Sequence, residues 1–114
     1  KIYSRLNDAD TVPPKERRVF YERSVYESGR AASELGWYFL DKQHASRVDP
    51  SRITCPRLLI GGELDRVVPL RVAQRTAERY GATFVPLADH AHWLIGEPGW
   101  ENVATIVVDW LTGR

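Results

Sequence analysis

Two short apolar runs set the pattern of this chain. Leu58-Leu59-Ile60 is continuous and closes on Gly61-Gly62, and Thr83-Phe84-Val85-Pro86-Leu87 is nearly continuous. Runs of this length without polar alternation read as strands covered on both faces, as in a parallel sheet. Between them, Pro69 to Tyr80 carries Val72, Ala73, Thr76, Ala77 and Tyr80 at helical spacing, with Arg71, Arg75, Glu78 and Arg79 facing water. Gly81 is placed for a left-handed C-cap. Parallel strands need a crossover of about a dozen residues, and this segment supplies one. The expected unit is strand, helix, strand, with both strand ends on the same edge.

A further helix is expected from near Pro98 or Trp100 to Gly113, with Trp100, Val103, Ala104, Val107, Trp110 and Leu111 on its apolar face. Upstream, Pro14 starts a helix expected to reach about Ser28 and to stop at Gly29. Val19, Phe20, Val25 and Tyr26 form its apolar face and Lys15, Arg17, Arg18, Glu22 and Arg23 its solvated one. A second helix is expected over 31–45, carrying Leu35, Trp37, Tyr38 and Phe39, with Gly36 inside it. Residues 1–13 read as irregular. Ser46 to Pro56 reads as an extended connector, because the residue before a proline is pushed out of the helical region. The chain thus divides into a helical segment, 1–49, and a βαβα unit, 50–114.

Composition narrows the classes. The 114 residues suffice for one core but fall short of the roughly 200 or more that a complete large α/β domain takes. Sixteen basic and fifteen acidic residues are interspersed, for a net charge of +1, which leaves no basic footprint for nucleic acid or an anionic membrane. No apolar run approaches the ~18 residues of a membrane span, so a soluble protein is expected. The single Cys55 cannot form an internal disulfide, which leans towards the cytoplasm. Lying just before a strand, it is expected to be a buried structural thiol. The opening Lys1 reads as a cut end.

Asp65 follows the first strand and His92 the second, on the edge where open α/β sheets place their chemistry. Gly61-Gly62-Glu63-Leu64-Asp65 followed by Val67-Val68-Pro69, together with Asp89-His90-Ala91-His92-Trp93 and the amphipathic helix after it, resembles the acid and histidine loops of the α/β-hydrolase family. The resemblance is close over residues 50–114 and loose over 1–49, which are similar to the family's variable cap. It implies an α/β fold, namely the C-terminal part of an α/β-hydrolase preceded by a helical cap segment. It also implies Asp65 as the acid and His92 as the base, in the chain order Ser…Asp…His. Trp37, Phe39 and Trp93 would line an apolar substrate site for a small ester, amide, epoxide or haloalkane.

No Gly-x-Ser-x-Gly elbow occurs in the sequence, so the nucleophile is expected from another segment and this chain alone is expected to be inactive. The expected partners are a small apolar substrate and either a second copy of the chain or a complementary N-terminal fragment. No cofactor, nucleic acid or membrane is implied. Four alternatives compete. His90 could replace His92 as base, and Glu63 could replace Asp65 as acid. Asp89, His90 and His92 could share a metal ion, because histidines two apart on an extended segment point the same way. The chain could also be a non-catalytic remnant that serves as an association module.

Overall fold

The computed structural model describes residues 11–23, 25, 28–37 and 47–113. It is a mixed α/β chain. In order come α1 (Pro14–Arg23), α2 (Gly29–Gly36), a short 3-10 turn (Pro50–Arg52), β1 (Leu58–Gly62), α3 (Leu70–Tyr80), β2 (Thr83–Leu87) and α4 (Trp100–Thr112). β1 and β2 pair in parallel, Leu58 opposite Thr83 through to Gly62 opposite Leu87, with α3 as the crossover packed on both. Both glycines that were expected to close β1 belong to it.

α3 rests on the sheet through small side chains. Ala73 and Ala77 are buried, and Leu70, Thr76 and Tyr80 are half-buried. A Cβ on Gly61 would stand 3.2 Å from the Ala73 Cβ, so helix and strand approach closely where each has little side chain. The buried stripe follows Leu70, Ala73 and Ala77 and leaves Val72, expected inward, exposed on its flank. Gly81 adopts φ 58°, and its N–H caps the carbonyls of Ala77 and Glu78.

α4 buries less than its pattern suggests. Val103 is buried and Val107 and Trp110 are half-buried, but Trp100, Ala104 and Leu111 are exposed. Two strands offer too narrow a surface to cover a full apolar face. α1 ends at Arg23, short of the expected Ser28, and Val25 is 83 % exposed. Ser28 starts the next helix instead, its hydroxyl accepting from the Ala31 N–H at 3.3 Å, as serine does at an N-cap. Gly29 therefore opens α2. Gly36 is its last residue and not an interior one, with Trp37 as C-cap donating its N–H to the Ser33 carbonyl at 2.9 Å. Tyr38, Phe39 and the rest of the helix expected to reach residue 45 lie outside the described residues.

Cys55 is exposed, not buried, because it lies in the surface connector three residues before β1. Among the described residues no helix is long and apolar enough to cross a membrane.

Candidate functional site

The edge formed by the C-terminal ends of β1 and β2 is held together beyond the strands themselves. Glu63 donates its N–H to the Leu87 carbonyl at 2.8 Å, and Leu64 donates to the His90 carbonyl at 3.0 Å. These bonds lay the loop after β1 directly against the loop after β2. Gly62 makes the approach possible, since a Cβ there would overlap the carbonyl oxygens of His90 and Ala91.

Asp65 sits at the turn out of β1. Its Oδ1 accepts from the backbone N–H groups of Val67 (2.8 Å) and Val68 (2.9 Å), the local bonding that fits aspartate to turns. Its Oδ2 lies 2.9 Å from His92 Nδ1, across 27 residues of sequence. The Asp65 side chain is 9 % exposed and that of His92 46 %. Burial works to raise the Asp65 pKa, but the hydrogen bonds from His92, Val68 and Val67 outweigh it and hold the carboxyl below its ordinary value. An ionised carboxylate only accepts hydrogen bonds. The 2.9 Å contact therefore assigns a proton to Nδ1, and in a neutral ring it leaves Nε2 as the acceptor.

The two competing residues are placed elsewhere. His90 is buried against Gly99, where a Cβ would lie 3.3 Å from His90 Cε1, and among the described residues its Nε2 has no hydrogen-bond partner. Glu63 is exposed, and the carboxylate that meets His92 Nδ1 is that of Asp65. Among the described residues no three His, Cys, Asp or Glu side chains are grouped to hold a metal ion. Asp89, His90 and His92 do not converge, because His90 turns into the core while His92 turns to Asp65.

Of the residues expected to line a substrate site, Trp37 is 60 % exposed and Phe39 lies outside the described residues. Trp93 is partly exposed, with its ring over Gly96, where a Cβ would meet Trp93 Cδ2 at 3.0 Å. A groove lined by Pro56, Arg57, Gly81, Thr83, Trp110 and Leu111 lies at the opposite, N-terminal ends of the strands.

One residue of the site has no counterpart in the sequence reading. Glu97 is 1 % exposed. Its Oε2 accepts from the Ala91 N–H and its Oε1 from the Trp93 N–H, both at 2.7 Å, so it bonds the residues on either side of His92. The sequence signal was a lone acid in an otherwise apolar stretch, Trp93-Leu94-Ile95-Gly96-Glu97-Pro98-Gly99.

The chain matches no protein-family model, no curated protein and no solved structure in the comparisons made.

Proposed function

We propose that Asp65 and His92 are the acid and base of a hydrolase of the α/β-hydrolase type, working with a nucleophile carried by another segment. The observation that carries this reading is the 2.9 Å contact between His92 Nδ1 and Asp65 Oδ2, made from the C-terminal ends of adjacent parallel strands. With a serine nucleophile, its oxygen attacks the carbonyl carbon of an ester or amide and its proton passes to His92 Nε2. Asp65 keeps the ring in the required tautomer and stabilises the imidazolium. The proton then goes to the leaving alcohol or amine, and water repeats the sequence on the acyl-enzyme. With a carboxylate nucleophile, the attack opens an epoxide, whose oxygen takes a proton from solvent, or displaces halide; His92 then takes a proton from the water that hydrolyses the resulting ester and gives it to the leaving alcohol. Trp93, and Trp37 and Phe39 from the cap segment, would supply apolar walls for a small substrate.

The open edges of the two-stranded sheet and the exposed Trp100, Val108 and Leu111 of α4 suit a second copy of this chain or a complementary N-terminal segment, since uncovered strand edges recruit partners.

The test is hydrolysis of a short ester, an epoxide and a haloalkane by the full-length protein and its variants. His92→Ala removes turnover, while His90→Ala, if folded, keeps most of it. Loss with His90→Ala and retention with His92→Ala would overturn the assignment.

A further inference from the structure

Glu97 combines three properties that are costly together. It is a carboxylate, it is 1 % exposed, and neither oxygen is paired with a cation in any bond described; both are bound by backbone amides. Burying a carboxylate is unfavourable unless it is fully hydrogen-bonded, and a loop that only had to be closed could be closed by an apolar side chain. A carboxylate provides something an apolar group does not, a rigid two-point hold on two N–H groups. The groups held are those of Ala91 and Trp93, and His92 lies between them.

We propose that Glu97 is the positioning residue for His92: it fixes the backbone on both sides of the histidine so that Nδ1 meets Asp65 Oδ2. The inference rests on the Asp65–His92 reading and deepens it. Several bonds act with the carboxylate. Leu64 N–H to the His90 carbonyl ties the same loop to the acid loop, Gly96 N–H to the Trp93 carbonyl (2.8 Å) closes the turn that brings Glu97 back, and Trp100 N–H to the Glu97 carbonyl (3.1 Å) anchors that turn to the start of α4. The histidine loop is thereby fastened to the acid loop at one end and to α4 at the other. An exposed imidazole on an unfastened loop would sample many rotamers. Here the hold leaves the 2.9 Å contact with Asp65 as the favoured arrangement.

The position of His92 can be read from its ring. In the 15N-histidine-labelled protein, two-bond proton–nitrogen correlation spectra distinguish the Nδ1–H tautomer that the Asp65 contact requires from the Nε2–H tautomer that a free imidazole prefers. The wild type is expected to show Nδ1–H for His92. Glu97→Gln keeps the shape but offers one acceptor and turns an NH2 towards the other amide. It is expected to shift His92 towards the Nε2–H form and to speed hydrogen exchange at Ala91 or Trp93 about tenfold, as for one lost hydrogen bond. Val103→Ala, which removes buried volume from α4 and none of the Glu97 hydrogen bonds, is expected to lower stability and leave the tautomer unchanged.

If the glutamine variant does not fold, Glu97→Asp decides, because it retains the charge but is too short to span both amides. A wild type without the Nδ1–H form would overturn the Asp65–His92 reading and this inference with it. A wild type with that form, unchanged in the folded Glu97 variant, would overturn the positioning role alone. An equal tautomer shift in Val103→Ala would also overturn it, by reducing Glu97 to a contributor to stability.

Discussion

Substituting Gly62→Ala places one methyl group between the two loops that make the site. The carbonyl carbon of His90 would lie 2.7 Å from the new Cβ, and the carbonyl oxygens of His90 and Ala91 closer still. All three belong to backbone, so no rotamer change relieves the overlap. To regain ordinary van der Waals separation, the histidine loop must withdraw by about 1 Å. The 2.9 Å contact between His92 and Asp65 would then exceed hydrogen-bond length, and so would the bond from Leu64 N–H to the His90 carbonyl. Overpacking of a buried site costs about 1–3 kcal/mol and each lost hydrogen bond about 1 kcal/mol. The total is about 3–5 kcal/mol, or a fall in Tm of roughly 12–20 °C for a chain of this size.

Gly61→Ala is the internal comparison, one residue away in the same strand. Its Cβ would meet only side-chain atoms, Ala73 Cβ at 3.2 Å and Leu70 Cδ1 and Phe84 Cε2 at 3.4 Å, which can give slightly at a cost of about 1 kcal/mol. Urea denaturation of both variants, with the His92 ring spectrum, makes the assay. Gly62→Ala should cost at least twice as much as Gly61→Ala and should alone disturb the His92 signal. Equal costs, or a Gly62→Ala protein with an unchanged His92 ring, would refute the close-approach argument.

Two other outcomes are expected. The Asp65 pKa is lower in the folded chain than its ordinary value of about 3.9, so its contribution to stability is complete above that value and is lost as pH falls through the lower folded pKa. Asp65→Asn, which keeps an acceptor for Val67 and Val68 but faces His92 with an amide, should therefore cost about 1 kcal/mol near neutrality. That gap should close in acid, and urea melts across pH that showed it widening would contradict the bonding described. Sedimentation of the chain should show a dimer or larger; a monomer across the concentration range would mean that the open strand edges and exposed α4 side chains need no cover.

The strands, the crossover and the edge that carries Asp65 and His92 were legible because each leaves a local mark in sequence. A short apolar run closed by Gly61-Gly62 is a strand in almost any context, and Gly81 after a helical pattern is a C-cap. The helix boundaries before residue 37 were less legible because Ser28-Gly29 carries two signals. Glycine suggests a stop, but the serine ahead of it caps the following helix, and the side-chain bond to Ala31 decides for the start. Val72 and Leu111 were expected inward from helical period alone, which says which residues share a face but not how much surface exists to cover it. Cys55 failed for a related reason, since proximity to a buried strand does not bury the connector leading into it. Glu97 left only a weak mark, a lone acid in an apolar stretch. Its burial depends on a turn closed by Gly96 that folds it back onto Ala91 and Trp93, and an acid ahead of Pro-Gly and a helix reads as a solvated first-turn residue.

The span of 27 residues between Asp65 and His92 also bears on when during folding the pair can exist. Closing a flexible loop of that length costs about 3 kcal/mol in chain entropy, before any constant, which one partly exposed hydrogen bond does not offset. The contact therefore cannot lead the folding of this segment. It forms after α3 has docked on both strands and brought their ends together, so a chain caught part-way carries both side chains but no assembled pair. Any chemistry the pair performs would be withheld from incompletely folded molecules.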